Sequence, residues 1–339
     1  MNRVAVVVLN WNGASLLSDC LRSLLAQDYP NFYVIVIDNH STDHSREVLE
    51  GVAKTAGDRL RVIYNDKNSG FAGGVNIGIK AAIKDGATAV ALFNNDATAK
   101  PNWLSQLVAV LDADQTVGIA TGLLLHADGK TIDSTGDFYS IWGLAFPRNR
   151  DEKTENAPES GYVFGASGGA SLYRTQLFKQ IGLFDEAFFA YYEDVDISFR
   201  SQLAGWKVFY TNSATAYHKR GATSEKIPGF TKYQMFKNLP MLFWKNVPTG
   251  LFWKIGWRFK LVYFLMYCNA LLQGASIPAT KGLLAAIGRF PAAMTLRTKV
   301  QKLRRRPTEY IDSILYQDLP PSQKGKLRKL VNRRTTTAT

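Results

Sequence analysis

Two short acidic clusters interrupt apolar stretches of the sequence and contain residue types that could do chemistry. The first is FNND at residues 93–96, and the second is YYEDVD at residues 191–196. A carboxylate beside apolar strands is costly to bury unless it is paired, hydrogen-bonded or bound to a metal. Together the clusters predict a metal site and a catalytic base, whereas either one alone would fit ordinary helix caps and turn residues equally well.

The elements that must position these clusters alternate between apolar strands and amphipathic helices. Uninterrupted apolar runs, typical of parallel sheets covered on both faces, predict strands at residues 3–9, 33–37 and 89–93. Apolar residues at helical spacing predict helices at 15–27, 45–56, 75–85 and 102–112. The polar, turn-rich residues 128–160 predict an irregular or hairpin excursion. This alternation indicates the α/β class, with a mostly parallel sheet flanked by helices.

Polar loops follow the predicted strands at the sheet edge where ligands bind. Residues 10–13, 38–43 and 94–96 lie past the carboxyl ends of three strands. No Gly-x-Gly-x-x-Gly follows the first strand, and no glycine-rich loop ends in Lys-Ser or Lys-Thr, so the common dinucleotide and phosphate loops are excluded. The side chains of Asp38 and Asn39 can instead accept hydrogen bonds from a base or a ribose.

Five motifs in a fixed order carry a resemblance to a known family. They are NWNG at 10–13, VIDNHSTD at 36–43, NSGFAGGVN at 68–76, NND at 94–96 and EDVD at 193–196. With these motifs the chain resembles family 2 glycosyltransferases of the GT-A fold, and it is most similar to bacterial rhamnosyltransferases and galactofuranosyltransferases. The resemblance covers about residues 3–225 and implies an inverting transfer of a sugar from a nucleotide-diphosphate donor.

The resemblance also implies which residues contact the donor. Asn10, Asp38 and Asn68 match family positions that line the nucleotide pocket. The residues expected to bind the nucleotide sugar are Asn10, Trp11, Asn12, Asp38, Asn39, Asn68, Gly70, Phe71, Asn76, Asn94 and Asn95. A preference for dTDP over UDP as the donor's nucleotide rests on the resemblance alone.

The resemblance places a divalent metal ion, Mn²⁺ or Mg²⁺, at Asp96. This residue matches the last acid of the family's Asp-x-Asp motif, although Asn94 replaces the first acid and lowers the expected affinity for the cation. Hard oxygen ligands suit both ions, which also bind diphosphate. His218 matches a family position that completes the metal site or contacts the diphosphate, whereas a lone histidine is usually structural. Lys219 and Arg220 beside it could pair with phosphate.

The second acidic cluster supplies the candidate catalytic base. Transfer requires a carboxylate that takes the proton of the acceptor hydroxyl as its oxygen attacks the anomeric carbon. The resemblance assigns this role to Asp194, with Glu193 as the rival, and we expect Asp196 to cap the following helix. Gly168 and Gly169 would either permit close approach of a sugar or the acceptor, or form a tight turn.

The charge of this 339-residue chain is distributed unevenly. The net charge is +13, and 46% of the residues are hydrophobic, which is enough for a substantial core. Residues 1–230 hold 21 Lys or Arg and 25 Asp or Glu, whereas residues 231–339 hold 20 and three. The sequence therefore predicts a catalytic domain at 1–230 and a basic region at 231–339. Such asymmetry points to a polyanionic partner, either nucleic acid or an anionic membrane surface.

The basic region is also rich in aromatic residues. Ten Phe, Trp or Tyr residues occur among the 32 residues at 236–267, interleaved with Lys and Arg, and residues 261–280 carry no charge. This composition favours short helices at a membrane interface, with 261–280 as an interfacial or re-entrant helix. A helical subdomain or an oligomer interface with a core of aromatic residues is the alternative. Nucleic acid is disfavoured because no nucleic-acid-binding module is visible.

Together these observations predict a peripheral enzyme on the cytoplasmic face of the cell membrane. Its donor would be a dTDP- or UDP-linked sugar, with rhamnose favoured, and its acceptor a lipid-linked glycan or polysaccharide of the cell envelope. The isolated cysteines Cys20 and Cys268 fit a reducing compartment, and the strand-like start at Arg3 leaves no room for a signal peptide.

Other functions stay open on the sequence alone. The chain could be a galactofuranosyl or another hexosyl transferase of the same family, and it could form a homo-oligomer. A nucleotidyltransferase shares the architecture but should carry a glycine-rich phosphate loop where this chain has NWNG. A non-catalytic protein that binds glycans or membranes is a further alternative, which the departure at Asn94 keeps open.

Overall fold

Strands with fully apolar sequences form the centre of the sheet. The computed structural model describes residues 3–219, 227–321 and 323. Within them the strands are β1 (Val4–Asn10), β2 (Phe32–Asp38), β3 (Leu60–Tyr64), β4 (Ala89–Asn94), β5 (Ala97–Ala99), β6 (Val117–His126), β7 (Ile132–Ser134), β8 (Asp137–Tyr139), β9 (Ala145–Pro147), β10 (Gly161–Val163), β11 (Ala170–Arg174) and β12 (Lys207–His218). β1, β2 and β4 are buried along almost their whole length, as expected for strands covered on both faces.

The sheet has a parallel half and a mixed half. Its strand order is β10-β12-β6-β11-β4-β1-β2-β3, and β4, β1, β2 and β3 run parallel. β11 is antiparallel to both β4 and β6, while β12 is parallel to β6. Because β1, β2 and β4 run in one direction, their carboxyl ends meet at one edge, where Asn10 lies in register with Asp38.

Helices cover both faces of the sheet. In the described part of the chain they are α1 (Ala14–Leu25), α2 (Ser45–Ala56), α3 (Gly70–Lys84), α4 (Trp103–Ala113), α5 (Thr175–Ile181), α6 (Glu193–Ala204), α7 (Phe230–Asn246), α8 (Phe252–Leu272), α9 (Ser276–Lys302) and α10 (Thr308–Ile314). Leu21 of α1, Leu49 of α2 and Trp103 of α4 lie in the core on one face. Ile79 of α3 and Ile197 of α6 lie in the core on the other face.

The α/β class predicted from the sequence is confirmed, and the differences concern where α3 begins and a strand that the sequence does not indicate. The helix predicted at 45–56 has the same bounds in the structure. In contrast, α3 begins at Gly70 rather than at residue 75, because GFAGG has too few large side chains to show helical spacing. β6 escapes the sequence prediction because Gly118 and Gly122 interrupt its apolar pattern.

Residues 128–160 contain one sheet strand and a hairpin, as the sequence predicts for this excursion. β7 pairs antiparallel with β6, and β8 pairs antiparallel with β9. Asp133 lies in β7 and Asp137 begins β8, and both residues are buried. The excursion therefore carries two carboxylates away from solvent.

The four C-terminal helices share one core with the sheet domain. Phe243 of α7 stacks on Phe259 of α8 with ring centroids 5.1 Å apart. The same apolar core contains Tyr139 of β8 and Phe199 of α6, whose rings lie 5.1 Å apart. The C-terminal helical region predicted from the sequence is therefore confirmed, and its aromatic residues are partly core residues.

The uncharged stretch 261–280 is divided between two helices. α8 ends at Leu272, Gly274 adopts a φ of 71°, and α9 begins at Ser276. None of the helices in the described ranges combines the length and the hydropathy that crossing a membrane requires. Association with a membrane surface stays a prediction, as does the domain boundary after residue 230.

A buried ion-pair network ties α7 to α6 and to the loop that precedes α6. Lys245 Nζ lies 2.6 Å from Asp185 Oδ2 and 2.8 Å from Asp196 Oδ1, and Arg200 Nε lies 2.9 Å from Asp196 Oδ2. Burial opposes ionisation of Asp196, but Lys245 and Arg200 outweigh it and lower the pKa of this carboxyl. The prediction that Asp196 caps α6 is wrong, because both of its oxygens pair with cations inside the protein.

We expect Lys245→Met to lower the free energy of unfolding by about 3–5 kcal/mol, because it leaves the buried charge of Asp196 with one cation fewer. Lys254→Met is the matched control, since Lys254 pairs with Asp312 where both side chains are about one-third exposed, and it should cost about 0–1 kcal/mol. Urea unfolding of the two variants measures the difference. Equal losses would contradict a structural role for the buried network.

Candidate active site

Hydrogen bonds join the carboxyl ends of β1, β2 and β4 into one surface. Asn10 Nδ2 donates to Asp38 Oδ1 at 3.0 Å, and Asn95 Nδ2 donates to Asn10 Oδ1 at 2.8 Å. A Cβ on Gly13 would lie 2.6 Å from Asn10 Oδ1, so only glycine leaves room for this arrangement. The structure thus brings together three of the predicted nucleotide-binding residues at the sheet edge.

The loops after β1 and β2 are bonded to each other through Asn12 and Ser41. The Asn12 amide N–H donates to Ser41 Oγ at 2.9 Å, and Asn12 Oδ1 accepts from the Thr42 amide N–H at 2.7 Å. Asn12 has a φ of 50°, a left-handed conformation that asparagine tolerates better than most residues. Trp11, in the same loop, is half-buried. These contacts fix the rim of the surface beside Asp38.

A second turn is built around Asn39 and Asn68 and starts α3. Asn39 Nδ2 donates to Asn68 Oδ1 at 2.9 Å, and Asn68 Oδ1 also accepts from the Gly70 amide N–H at 2.9 Å. Gly70 has a φ of 73° and lies so close to the Phe189 backbone that a side chain would collide. Asn39 is 1% exposed and bonded on both sides of its amide, so its side chain shapes the turn.

Asn76 lies apart from the other predicted nucleotide-binding residues. Its Nδ2 donates to the Phe184 carbonyl oxygen at 2.9 Å and to Glu186 Oε1 at 3.0 Å, and its Oδ1 accepts from the Phe184 amide N–H at 3.1 Å. Its amide group is therefore engaged in holding α3 against the chain that leads to α6.

His218 lies between two carboxylates, with Asn94 nearby. Its Nε2 is 3.0 Å from Asp96 Oδ1, its Nδ1 is 2.7 Å from Asp133 Oδ2, and the Asn94 amide nitrogen is 3.2 Å from Nε2. Burial alone would lower the pKa of His218, but the hydrogen bonds and charges of Asp133 and Asp96 raise it to about 9. Arg150 pairs with Asp133 at 2.9 Å and holds this carboxylate in place.

The donor set around His218 fits a hard divalent cation shared with a diphosphate. The side chains of Asp96, His218 and Asn94 supply a carboxylate, an imidazole and a neutral amide, and Asp133 orients the imidazole as carboxylates do behind metal-bound histidines. Within the described ranges no group of three His, Cys, Asp or Glu side chains could hold a metal alone. Mg²⁺ commonly uses one or two carboxylates plus substrate phosphates, which agrees with this set.

Of the two basic residues predicted to meet phosphate, one is described. Lys219 follows β12 with an exposed side chain, and its amide N–H donates to the Asp96 carbonyl oxygen at 2.9 Å. Arg220 lies outside the described residues, as do all of the basic residues after 321.

The dipeptide Gly168-Gly169 lies between the Asp96 side of the site and Asp194. The backbone N–H of Gly168 donates to Asp194 Oδ2 at 3.1 Å, and the backbone N–H of Asn94 donates to the Gly169 carbonyl oxygen at 2.9 Å. A Cβ on Gly168 would lie 3.3 Å from the Phe71 ring and 3.4 Å from Asp194 Cβ. Both acidic clusters of the sequence therefore meet around two residues without side chains.

The carboxyl groups of Asp194, Glu193 and Asp137 lie close to one another but have different surroundings. Asp194 accepts from two backbone amides, those of Gly168 and Val195, whereas Glu193 Oε2 is buried with no hydrogen-bond partner among the described residues. Burial and the charge of Asp194 raise the pKa of Glu193 well above its usual value and that of Asp137 to about 8. Burial also raises the pKa of Asp194, while the two amides work in the opposite direction. Of these three carboxyl groups, Asp194 is therefore the one whose charged form is best stabilised by hydrogen bonds.

The loop at 188–192, which leads into α6, has a strained backbone. Phe189, Tyr191 and Tyr192 have φ values of 64°, 69° and 72°, a region that costs such residues about 1–3 kcal/mol each. Asn238 Nδ2, on α7, lies 2.8–3.0 Å from three carbonyl oxygens of this loop. Lys237 Nζ donates to one of the same oxygens at 3.0 Å. Helix α7 therefore holds the backbone that aims Asp194.

Sequence reasoning missed the supporting residues Asp133, Asp137, Arg150 and Asn238. A signal for the two acids was present, because Asp133 follows Ile132 and Asp137 precedes Phe138, the same pattern of an acid beside an apolar residue that marks the other clusters. For Asn238 no local signal exists, since its partners lie 47–50 residues away in the sequence.

A family model covers half of the chain. The model described as Glycosyl transferase family 2 matches residues 5–182. This range contains Asn10, Asp38 and Asp96 but ends before α6, so Asp194 lies beyond the matched segment.

Curated relatives extend the match further. An N-acetylglucosaminyl-diphospho-decaprenol L-rhamnosyltransferase of Mycobacterium tuberculosis is 28% identical over 249 residues, covering 66% of this chain and 78% of that protein. The dTDP-rhamnosyl transferase RfbF of Shigella flexneri is 24% identical over 227 residues, covering 64% and 72%. An uncharacterized glycosyltransferase of Nostoc is 32% identical over 132 residues, and there the match spans only 40% of the relative.

Solved structures share the fold over most of the chain. The mannosyltransferase PcManGT of Pyrobaculum calidifontis, in complex with GDP-Man and Mn²⁺, has a TM-score of 0.55 at 18% identity and covers 89% of this chain and 86% of its own. TarS 1-349 of S. aureus in complex with UDP-GlcNAc has a TM-score of 0.57 at 16% identity and covers 94% of each chain. These likenesses concern the fold, and they confirm the predicted fold class.

We expect His218 to titrate near pH 9 in the metal-free protein, because Asp133 and Asp96 stabilise its charged form. Asp133→Asn should lower this pKa by about one unit or more, since it replaces the nearer anion with a neutral amide. NMR titration of the histidine ring protons, assigned with His218→Gln, measures the change. Asp151→Asn, which removes the carboxylate beside His126, should leave the His218 titration unchanged. A His218 pKa near 6.5 in the wild type would contradict this geometry.

Proposed function

Because the chain belongs to glycosyl transferase family 2, it is a glycosyltransferase, and we propose that it transfers rhamnose, with inversion, from a nucleotide-diphosphate donor to a lipid-linked acceptor. The observation that carries the chemistry is the Gly168-Gly169 dipeptide, which bonds to Asp194 on one side and to Asn94 on the other. An acceptor hydroxyl near Asp194 and a leaving diphosphate near Asp96 would then meet where no side chain intervenes.

The sheet edge at β1 and β2 is the proposed nucleotide site. The carboxylate of Asp38 and the amide of Asn68 would supply polar groups at this edge, and the buried amide of Asn10 holds Asp38 in place. Rhamnose as the sugar rests on the two relatives whose names include rhamnosyl transfer, at 28% and 24% identity. The nucleotide, dTDP or UDP, rests on the same likeness, and one of these relatives is named for dTDP-rhamnosyl transfer.

Asp96 and His218, with Asn94, would hold a divalent cation together with the diphosphate of the donor. Such an ion neutralises the negative charge that develops on the departing diphosphate. One solved protein of the same fold contains Mn²⁺ with GDP-Man, which supports this assignment. Asn94 supplies no charge, so the diphosphate would provide a larger share of the ligands than in a site with two acids.

Asp194 is the proposed general base. In a single displacement the acceptor oxygen forms a bond to the anomeric carbon while the bond to the diphosphate oxygen breaks on the opposite face, which inverts the configuration. Asp194 takes the hydroxyl proton as the acceptor oxygen becomes positive. Burial raises the pKa of Asp194, which brings its basicity nearer to the value that proton transfer near neutral pH requires.

A relative and the chain's charge support the proposed acceptor and location. The mycobacterial relative is named for a decaprenol-linked acceptor, and a polyprenyl carrier keeps its glycan at a membrane surface. Residues 231–339 hold 20 Lys or Arg and three acids, which would attract the anionic cytoplasmic leaflet. We therefore place the enzyme at the periphery of that leaflet.

Asp194→Asn should reduce kcat by about a hundred- to ten-thousand-fold while the affinity for the donor changes little, because the variant keeps the shape but loses the proton acceptor. Glu193→Gln is the matched comparison. Its effect should stay below about tenfold, because glutamine resembles the protonated carboxyl that burial favours at this position.

Steady-state transfer to a water-soluble acceptor analogue, with donor affinity measured separately by calorimetry, distinguishes the two variants. A larger loss of kcat in Glu193→Gln than in Asp194→Asn would make Glu193 the base. Full activity in both variants would overturn the proposed mechanism, and a wild type that binds nucleotide but never transfers sugar would favour a non-catalytic role.

Asp96→Ala should remove the metal-dependent part of nucleotide binding. A nucleoside diphosphate present at about a hundred times its dissociation constant should stabilise the wild type by about 2.7 kcal/mol. Thermal shifts with dTDP, UDP, GDP and CDP, with and without Mn²⁺, identify the preferred base. Asp58→Ala, an exposed acid at the far end of β2 and β3, is the control and should respond like the wild type. A metal-dependent shift that survives in Asp96→Ala would exclude Asp96 as a ligand.

A further inference from the structure

Helix α8 is apolar on both of its faces. Ile255, Phe259 and Val262 are buried in the core shared with α7. The opposite face is exposed and presents Trp253, Trp257, Leu261, Phe264, Leu265, Leu271 and Leu272. A helix on the surface of a globular protein normally turns charged and polar residues outward, so this face is adapted to something other than water.

Helix α9 continues the apolar surface across the turn. Ile277, Leu284, Ile287 and Phe290 are exposed along it. The tip of the α8–α9 hairpin, residues 271–277, contains two of the most exposed apolar side chains, Leu272 at 85% and Ile277 at 67%. We call this exposed set, from Trp253 to Phe290, the hairpin surface.

The charged residues of the two helices that form the hairpin surface are of one sign. α8 and α9 together contain eight Lys or Arg and no Asp or Glu. Lys254 is paired with Asp312, whereas Lys260, Lys281 and Lys299 have exposed side chains. Residues 261–280, which include the tip, carry no charge at all. An uncharged apolar tip flanked by lysines matches a bilayer with anionic headgroups, where rings and leucines reach the acyl chains and lysines meet phosphate.

We infer that the hairpin surface docks on an anionic lipid bilayer, with the tip at 271–277 inserted below the headgroups. A second copy of the chain fits this surface less well, since a symmetric contact would bring the lysines of both copies together without an acid on either helix. The inference rests on the proposed function for its purpose, which is to reach an acceptor held in the membrane, but its test needs neither donor nor acceptor.

The hairpin surface is one helix away from the strained loop that aims Asp194. Tyr263 of α8 packs on Phe236 of α7, with ring centroids 5.3 Å apart, and Asn238 of α7 bonds to the 188–192 loop. Docking through α8 and α9 would thus hold the site at a fixed height above the bilayer.

The test is flotation of the full chain with vesicles of phosphatidylcholine that contain about one-third phosphatidylglycerol. The wild type should float, and its binding should weaken in vesicles of phosphatidylcholine alone and in about 0.5 M salt, which screens the lysines. The double variant Leu272→Asn and Ile277→Asn should lose about tenfold or more of its partition into the anionic vesicles, because two inserted side chains become polar.

Tyr162→Asn is the matched control, since Tyr162 is 57% exposed on β10, away from the hairpin, and it should float like the wild type. Melting temperatures check that the variants are folded, and the single variant Leu272→Asn replaces the double one if the latter melts early. Equal flotation of wild type and hairpin variants would overturn the inference. So would a wild type that stays unbound but forms a dimer that the variants lose, because the surface then belongs to a second copy. Sugar transfer to a water-soluble acceptor, measured in parallel, shows whether the proposed function fails independently.

Discussion

Carboxylates kept away from water are the constraint on which the rest of this structure depends. Asp196 is fully buried and stays charged because Lys245 and Arg200 reach it from other turns of the chain. Asp133 is held in the same way by His218 and Arg150. Removing one partner from such a group strands a charge in a medium that solvates it poorly, at a cost that can reach several kcal/mol. Asp196 and Asp133 therefore fix the positions of the elements that supply their cations.

This constraint shapes both sides of the candidate active site, the side of Asp96 and the side of Asp194. The pairs Asp96–His218, His218–Asp133 and Asp133–Arg150 form a continuous row of alternating charge that starts at the end of β4 and ends in the excursion after β6. Asp194 is anchored differently, by two backbone amides rather than by a cation, and so keeps a basicity that a direct ion pair would remove. The candidate site thus combines a tightly charged side, which suits the proposed diphosphate leaving group, with a side where a carboxylate can still accept a proton.

The sequence was sufficient for the parts of the fold that depend on local patterns. Apolar runs and helical spacing predicted β1, β2, β4 and four of the helices, because burial of a strand or a helix leaves its period in the sequence. The start of α3 was missed, since glycines have no side chain to show a period. In the site, loop position and family resemblance indicated Asp96, Asp194 and His218. They did not indicate Asp133 as the partner of His218, because the two lie 85 residues apart and meet only through sheet pairing. The contacts of Lys245 and Asn238 in α7 were not predicted, because the aromatic and basic composition around them indicated a membrane-interface region instead.

The hydrogen bonds from α7 to the 188–192 loop limit which parts of this chain can change without disturbing Asp194. Asn238 and Lys245 belong to the C-terminal helices, yet their partners precede or lie within α6, and one apolar core extends across both. A fragment that ends at residue 230 would expose that core and release a strained backbone. The C-terminal helices are therefore part of the structure that positions Asp194. The outward faces of α8 and α9, in contrast, can diverge without disturbing the contacts that aim Asp194.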